Sequence, residues 1–229
     1  MTFSLAYIPA RGGSKSLVGK NKRLMHGRPL VSWSIHQAMS SSQINLVMVS
    51  SDDDEILEYA VQAGALPMLR ATPLAGDDAQ IEDAIIEEVS SFQRQPDEIV
   101  LLQPTSPLRY PWDIDRALEH FHQAHADSLL SMVEAPHKFL WGRDRDLQWK
   151  RPYYERPRRQ DVPIGFQENG AIYVSTWGGL RANHSRLFGK IAAYVMTEEQ
   201  GPEIDTEVDW VILSGLMEKY LLTEEIWST

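Results

Sequence analysis

Ser4-Leu-Ala-Tyr-Ile-Pro-Ala-Arg-Gly-Gly-Ser14 decides the fold. A short apolar run rich in strand formers breaks at once into a basic, glycine-containing turn, which reads as a buried strand ending in a loop. Outward from it, Pro29 opens a helical pattern over 30–39, with proline at a first-turn position where its missing N–H does no harm. A second buried strand spans 44–50, and Asp52-Asp53-Asp54-Glu55 sets acids in the first turn of a helix through Ala63. The alternation continues with a strand at 65–69, a polar loop over 71–78, a helix at 81–92, a strand at 98–102, a helix at 112–125 and a strand at 128–134. Strands at 170–174 and 190–196 follow, and Thr206 with Asp209 opens a last helix through Tyr220 as a capping box. This order predicts an α/β fold with a mostly parallel sheet and helices on both faces. The stretch 137–168 breaks the pattern. Its scattered aromatics, three prolines and basic residues are too long for a connection and too aromatic for a linker, so a projecting arm inserted in a single domain over 1–229 is expected.

At 229 residues the chain can hide roughly 70–75% of its unfolded surface without staples. The absence of cysteine removes thiol nucleophiles, disulfides, thiolate zinc sites and iron–sulfur ligation. No apolar run approaches the roughly 18 residues of a membrane span. The start Met1-Thr2-Phe3-Ser4 lacks a signal peptide's charged region, so a cytoplasmic protein with no membrane partner is expected. Net charge is −10, which argues against nucleic acid as a partner. The distribution matters more than the total. Residues 1–51 hold six basic residues and no acid, and 143–159 hold seven basic residues against three acids. Two positive fields on an acidic protein suit a small polyanion.

Three segments carry candidate chemistry. In Arg11-Gly-Gly-Ser-Lys-Ser-Leu-Val-Gly-Lys-Asn21, glycines after a strand let N–H groups approach phosphate oxygens, while Arg11, Lys15 and Lys20 supply charge. The spacing is neither a Walker loop nor the dinucleotide fingerprint, and alone it also fits a surface turn. Leu101-Leu-Gln-Pro-Thr-Ser-Pro-Leu-Arg109 presents Gln103 and Arg109 on a proline-stiffened loop, suited to hydroxyl or carboxylate recognition or to a rigid strand-to-helix turn. In Glu203-Ile-Asp-Thr-Glu-Val-Asp209, Glu203 and Asp205 alternate on an extended segment, an arrangement that can hold hydrated magnesium, whereas Asp209 belongs to the helix start. His120, His122 and His125 lack a convergent fourth ligand and read as helix residues.

At these segments the chain resembles the CMP-sialic acid synthetases (N-acylneuraminate cytidylyltransferases) and their relatives that activate other nonulosonic acids and KDO. The matching stretches are IPARGGSKSLVGKN (8–21), VSSDD (49–53), LLQPTSPLR (101–109), RRQDVPIGFQENGAIYV (158–174) and EIDTEVD (203–209), in order over nearly the whole chain. The resemblance implies a Rossmann-like nucleotidyltransferase that couples CTP to the anomeric hydroxyl of a nine-carbon 2-keto acid and releases pyrophosphate with Mg²⁺. It implies that Arg11, Ser14, Lys15, Lys20, Asn21 and Arg70 hold the nucleotide, with Arg11, Lys20 and Asp205 acting in catalysis. Gln103, Arg159, Gln160, Asn169 and Tyr173 would bind the sugar, Asp205 and Glu203 the metal, and the 137–168 arm would make a homodimer.

Two departures bear on the substrate. Phe166-Gln-Glu-Asn-Gly170 stands where such enzymes typically read Phe-Arg-Pro-Asn-Gly, and Glu203 stands where the family usually has aspartate. A neutral Gln167 cannot give a carboxylate the bidentate pair that arginine does. N-Acetylneuraminate is therefore expected to be accepted without having to be the best substrate, with legionaminate-, KDN- and pseudaminate-like acids as the rivals and KDO as a further alternative. Two other readings share the basic loop, a sugar-phosphate or molybdopterin-type nucleotidyltransferase and a non-catalytic nucleotide sensor.

Overall fold

In a computed structural model the described residues are 2–13, 17–76, 79–135 and 140–222. Strand β1 (Ser4–Pro9) is followed by a short hairpin, β2 (Leu24–Met25) and β3 (Arg28–Pro29), then α1 (Leu30–Ser40), β4 (Leu46–Ser51) and α2 (Asp54–Gln62). Next come β5 (Leu66–Leu69), the single turn α3 (Thr72–Ala75), α4 (Ile81–Ser90), β6 (Glu98–Leu101), α5 (Asp113–Gln123) and β7 (Ser128–Ala135). A two-residue ribbon, β8 (Gly142–Arg143) and β9 (Trp149–Lys150), precedes β10 (Gly165–Thr176), α6 (Trp177–Asn183), β11 (Ile191–Met196) and α7 (Glu207–Tyr220).

The main sheet has seven strands in the order β11-β7-β10-β6-β1-β4-β5. Strand β10 runs antiparallel to both β6 and β7, and the other pairings are parallel. The expectation of a mostly parallel sheet with helices on both faces therefore holds, with one reversed strand inside it. Ala6, Ile8, Val49 and Val100 on one face pack against Val31 and Ile35 of α1, Ile56 and Ala60 of α2 and Ala117 and Phe121 of α5. On the other face, Leu5, Tyr7, Ile99 and Leu101 pack against Ile85 and Val89 of α4 and Trp177 and Leu180 of α6. A third cluster joins Trp210, Leu213 and Met217 of α7 to Met25, Leu30 and Trp33. Among the described residues no helix is long and apolar enough to cross a membrane.

Several local expectations are corrected. The loop over 71–78 contains a helical turn at Thr72–Ala75, with proline at its start. Pro29 pairs in the hairpin and caps α1 instead of entering it, because His26 and Gly27, both at positive φ, turn the chain back just before it. Strand β10 begins at Gly165, not at 170, since Gly165–Glu168 form an exposed stretch that pairs with β7. The capping box of Thr206 and Asp209 is present as read.

Residues 140–164 contribute to none of the three core clusters, and Leu140, Trp141, Leu147, Trp149, Tyr154 and Ile164 are exposed there. This segment leaves the sheet after β7 and returns as β10. Because β10 is antiparallel, its first residues sit at the carboxyl-end edge of the parallel strands.

Candidate active site

From β1 the chain order crosses to β4 on one side and to β6 on the other, so the carboxyl ends of β1 and β6 flank a topological switch point, where open α/β sheets bind ligands. A cleft of about 510 Å³ lies there. Its walls bring together Arg11 from the loop after β1, Lys20 and Asn21 from the next turn, Arg70 after β5, Gln103 after β6 and Asp205 before α7. Ser14 and Lys15 lie outside the described residues, as does the side chain of Arg159.

The loop after β1 is held by acids and amides. The N–H of Gly12 donates to Asp52 Oδ1 at 2.8 Å, and a Cβ on Gly12 would stand 2.6 Å from Asp53 Oδ2, so this approach requires glycine. Asn21 Nδ2 donates to the Arg11 carbonyl at 2.9 Å. Asp53 caps α2 by accepting from the N–H groups of Glu55 and Ile56, and Lys22 Nζ lies 2.9 Å from Asp53 and 3.0 Å from Glu55. Burial works against the charge of Asp53, but Lys22 and the two N–H groups outweigh it and hold its carboxyl below the ordinary value. The Lys20 ammonium, nearly buried, donates to the Ile204 carbonyl and lies 3.4 Å from Asp205 Oδ1.

Arg70 is only 6% exposed yet lines the cleft. Its Nε donates to Ser50 Oγ at 2.9 Å and its Nη2 to the Ser50 carbonyl at 3.1 Å. The loop after β6 is fixed by Arg109, which is fully buried. Its guanidinium donates to the carbonyls of Ala171 (2.7 Å) and Gln103 (2.6 Å), to Ser34 Oγ (3.1 Å) and to Gln37 Oε1 (2.9 Å). Burial pushes its pKa down to about 9, against the opposing charge of Asp113. Arg109 is thus a strut that ties the 103–109 loop to β10, not a group presented to a ligand.

A second cavity of about 500 Å³ shares Asp205 with the cleft and is bordered by Gln167, Glu203 and Asp209. Burial raises the Glu203 pKa, with repulsion from Asp205 and Glu168 adding to it and Lys20 opposing it. Gly170, at φ +65, lets β10 approach closely, since a Cβ there would lie 2.5 Å from Glu203 Oε2 and 2.7 Å from Gln103 Oε1.

The remaining expected sugar contacts fall elsewhere. Asn169 is fully buried, with Oδ1 accepting from Ser131 Oγ at 2.6 Å and Nδ2 donating to the Gln200 carbonyl at 2.9 Å, so its amide braces β10 instead of reaching a ligand. Tyr173 is also buried and donates to Glu168 Oε2 at 3.1 Å; burial and that carboxylate raise its pKa. Gln160 is exposed and borders neither cavity. His122, read as a plain helix residue, contacts the buried Glu98 at 2.8 Å. Sequence reasoning missed Glu88, a buried acid behind Arg70. An acid next to Val89 on the apolar face of α4 was the available signal.

Residues 5–207 match a protein family described as Cytidylyltransferase. The CMP-N,N'-diacetyllegionaminic acid synthase of Legionella pneumophila is 36% identical over 226 residues, covering 93% of this chain and 96% of its own. N-acylneuraminate cytidylyltransferase B of Danio rerio is 34% identical over 213 residues, covering 90% of this chain. An N-acylneuraminate cytidylyltransferase of Streptococcus agalactiae is 29% identical over 231 residues, covering 96% of this chain. The chain spans nearly all of the Legionella protein but 49% of the fish protein and 55% of the streptococcal one. In fold, it is similar to a CMP:2-keto-3-deoxy-manno-octonic acid synthetase solved with CTP, at a TM-score of 0.73, 19% identity and coverage of 96% of this chain and 100% of the other. The family match over most of the chain and the full-length Legionella relative agree, and the chain belongs to the cytidylyltransferase family of CMP-N-acylneuraminate and related nonulosonic acid synthetases.

Proposed function

We propose that this protein transfers the cytidylyl group of CTP to the anomeric hydroxyl of a nonulosonic-acid-type sugar. The sugar oxygen bonds to the α-phosphorus, the bond from that phosphorus to the bridging oxygen breaks, and pyrophosphate leaves. The convergence of Arg11, Lys20, Asn21, Arg70, Gln103 and Asp205 on one cleft at the switch point carries this reading. Negative charge collects on the non-bridging oxygens and on the departing pyrophosphate, and Arg11 and Lys20 are fixed cations at that place. Lys20 is held between the Ile204 carbonyl and Asp205, so it meets the triphosphate already oriented.

Magnesium is the proposed cofactor. Among the described residues no three His, Asp or Glu gather to form a cage, but magnesium is commonly shared between one or two carboxylates and the substrate's phosphates. Glu203 and Asp205 fit that use, because both border the second cavity and Asp205 also lines the cleft, which sets two hard carboxylate donors along one continuous space beside the proposed phosphate site. Bound there, the ion would neutralise phosphate charge and orient both reactants.

Within the substrate class, a diacetylated acid of the legionaminate type is proposed ahead of N-acetylneuraminate. The full-length similarity to the Legionella synthase and the neutral Gln167 beside Glu203 support that order. The arm is proposed to pair two copies of the chain, its exposed Trp141, Trp149 and Ile164 supplying the apolar contact. Pyrophosphate release, measured with each nucleoside triphosphate and a panel of nonulosonic acids with and without EDTA, tests the reaction. CTP and a diacetylated acid should lead, and EDTA should abolish turnover. Equal rates with GTP would refute the reaction, and a clear lead for N-acetylneuraminate would refute the substrate order.

A further inference from the structure

Behind Arg70, away from the cleft, lies a chain of buried polar groups drawn from three elements. Ser50, the fifth residue of β4, accepts from Arg70 Nε through its Oγ and donates that same hydroxyl to Glu88 Oε1 of α4 at 2.7 Å. The other carboxylate oxygen, Oε2, accepts from the Tyr7 hydroxyl of β1 at 2.9 Å. Glu88 Oε1 stands 4.0 Å from Arg70 Nε, and both side chains are almost wholly buried. An acid is costly at this depth on a face that otherwise carries Ile85 and Val89, and it is retained with every oxygen engaged. Burial raises its pKa, and Ser50, Tyr7 and Arg70 work in the opposite direction.

We propose that Glu88 is a positioning residue for nucleotide binding, acting through the Ser50 hydroxyl to fix the orientation of the Arg70 guanidinium. A hydroxyl has one proton to give. With that proton committed to Glu88, the lone pairs of Ser50 face Arg70 Nε and accept from it. The guanidinium is thereby pinned along its Nε–Nη2 edge, since Nη2 is taken by the Ser50 carbonyl. Its Nη1 group has no hydrogen bond among the described residues and is left for a ligand in the cleft. Arg70 then works as an oriented planar donor more than as a charge.

The sign of one measurement separates these two uses. If Arg70 serves only as a positive charge for the triphosphate, removing the anion behind it would strengthen CTP binding. If orientation is what matters, removing Glu88 weakens it. The inference rests on the assignment of the cleft to CTP, so Arg70→Ala is included to test that assignment separately.

CTP affinity is measured by calorimetry for Glu88→Gln, Ser50→Ala, Arg70→Ala and the doubles with Arg70→Ala, and melting curves report folding. Glu88→Gln removes the charge and leaves a single acceptor oxygen for the two hydroxyls of Ser50 and Tyr7, so the Ser50 proton is no longer held by a carboxylate, whereas Ser50→Ala removes the relay and keeps the charge. Each should weaken CTP binding about tenfold, the scale of one hydrogen bond to a charged group. The effect should fall on KM for CTP with kcat kept, and neither substitution should weaken binding further once Arg70 is alanine. Unchanged or tighter binding in Glu88→Gln, or full additivity with Arg70→Ala, overturns the inference. If Glu88→Gln does not fold, Ser50→Ala and its double with Arg70→Ala decide by the same outcomes. Normal affinity in Arg70→Ala would instead refute the nucleotide assignment.

Discussion

Substituting Gly170 by alanine separates what the backbone costs from what the site loses. At φ +65 an L-residue costs about 1–2 kcal/mol relative to glycine. For a chain of this size that corresponds to a fall in Tm of about 2–8 °C. The new Cβ would also stand 2.5 Å from Glu203 Oε2 and 2.7 Å from Gln103 Oε1. Both are ends of flexible side chains, so they yield by about 1 Å to reach ordinary contact instead of unfolding the protein. Two groups of the site are then misplaced, and a displacement of that size can lower turnover by about 10²-fold. Gly27→Ala is the control, because Gly27 is at φ +79 with nothing within 4 Å of its Cβ position. Thermal melts and steady-state pyrophosphate release on both variants give the comparison. The two should lose similar stability, and only Gly170→Ala should lose activity. Equal activities, or a Gly170→Ala defect no larger than that of Gly27→Ala, would refute the claim that this glycine sets the spacing between β10 and the two side chains.

Lys20→Ala should lower kcat by about 10²–10³ in pyrophosphate release, the scale for one positioned electrostatic donor, whereas a change confined to KM would make it a binding group only. Arg109→Met leaves the carbonyls of Gln103 and Ala171 and the polar atoms of Ser34 and Gln37 without their donor, so urea unfolding should show a loss of about 3–5 kcal/mol at unchanged m. Asp53 has a folded pKa below its unfolded one, so its contribution is present above the unfolded value and drains away as pH falls through the folded one. Asp53→Asn, which keeps a capping oxygen, should flatten the acid limb of the stability curve. If the arm pairs two chains, light scattering should return twice the 26.1 kDa of one chain, with a concentration dependence that Trp149→Glu abolishes.

The sheet was legible in the sequence because its parallel strands are buried on both faces and read as continuous apolar runs, as in 4–9, 46–51 and 98–101. Direction was not legible. Nothing in Gly170–Val174 marks the strand as reversed, since its direction follows from β7 ending and β10 beginning at the same edge of the sheet. The start of β10, Gly165–Glu168, was missed because a four-residue stretch exposed on both sides has too little apolar alternation to betray a strand. Arg11, Lys20, Asn21, Arg70, Gln103 and Asp205 were singled out through residue types and family pattern, and the structure sets them around one cleft. Asn169 misled because a motif records that a residue is required and not which way its amide points. The Glu88 network escaped because it joins β1, β4 and α4 at sequence separations of 38 and 81, which no local window contains.

Within β10, Glu168 pairs with Met132 and Tyr173 with Leu130, so five steps along one strand answer two along its neighbour. The surplus is odd, and it is why Glu168 and Tyr173 share a side and touch although strict alternation would part them. Insertions and deletions should therefore be tolerated very unevenly on the two sides of Gly165. Between 140 and 164 the chain can lengthen or shorten without disturbing a core residue. Losing one residue from 169–172 would turn the segment over, exchanging the sides on which Gln167 and Glu168 stand, and would remake the wall that Gln167 gives the second cavity.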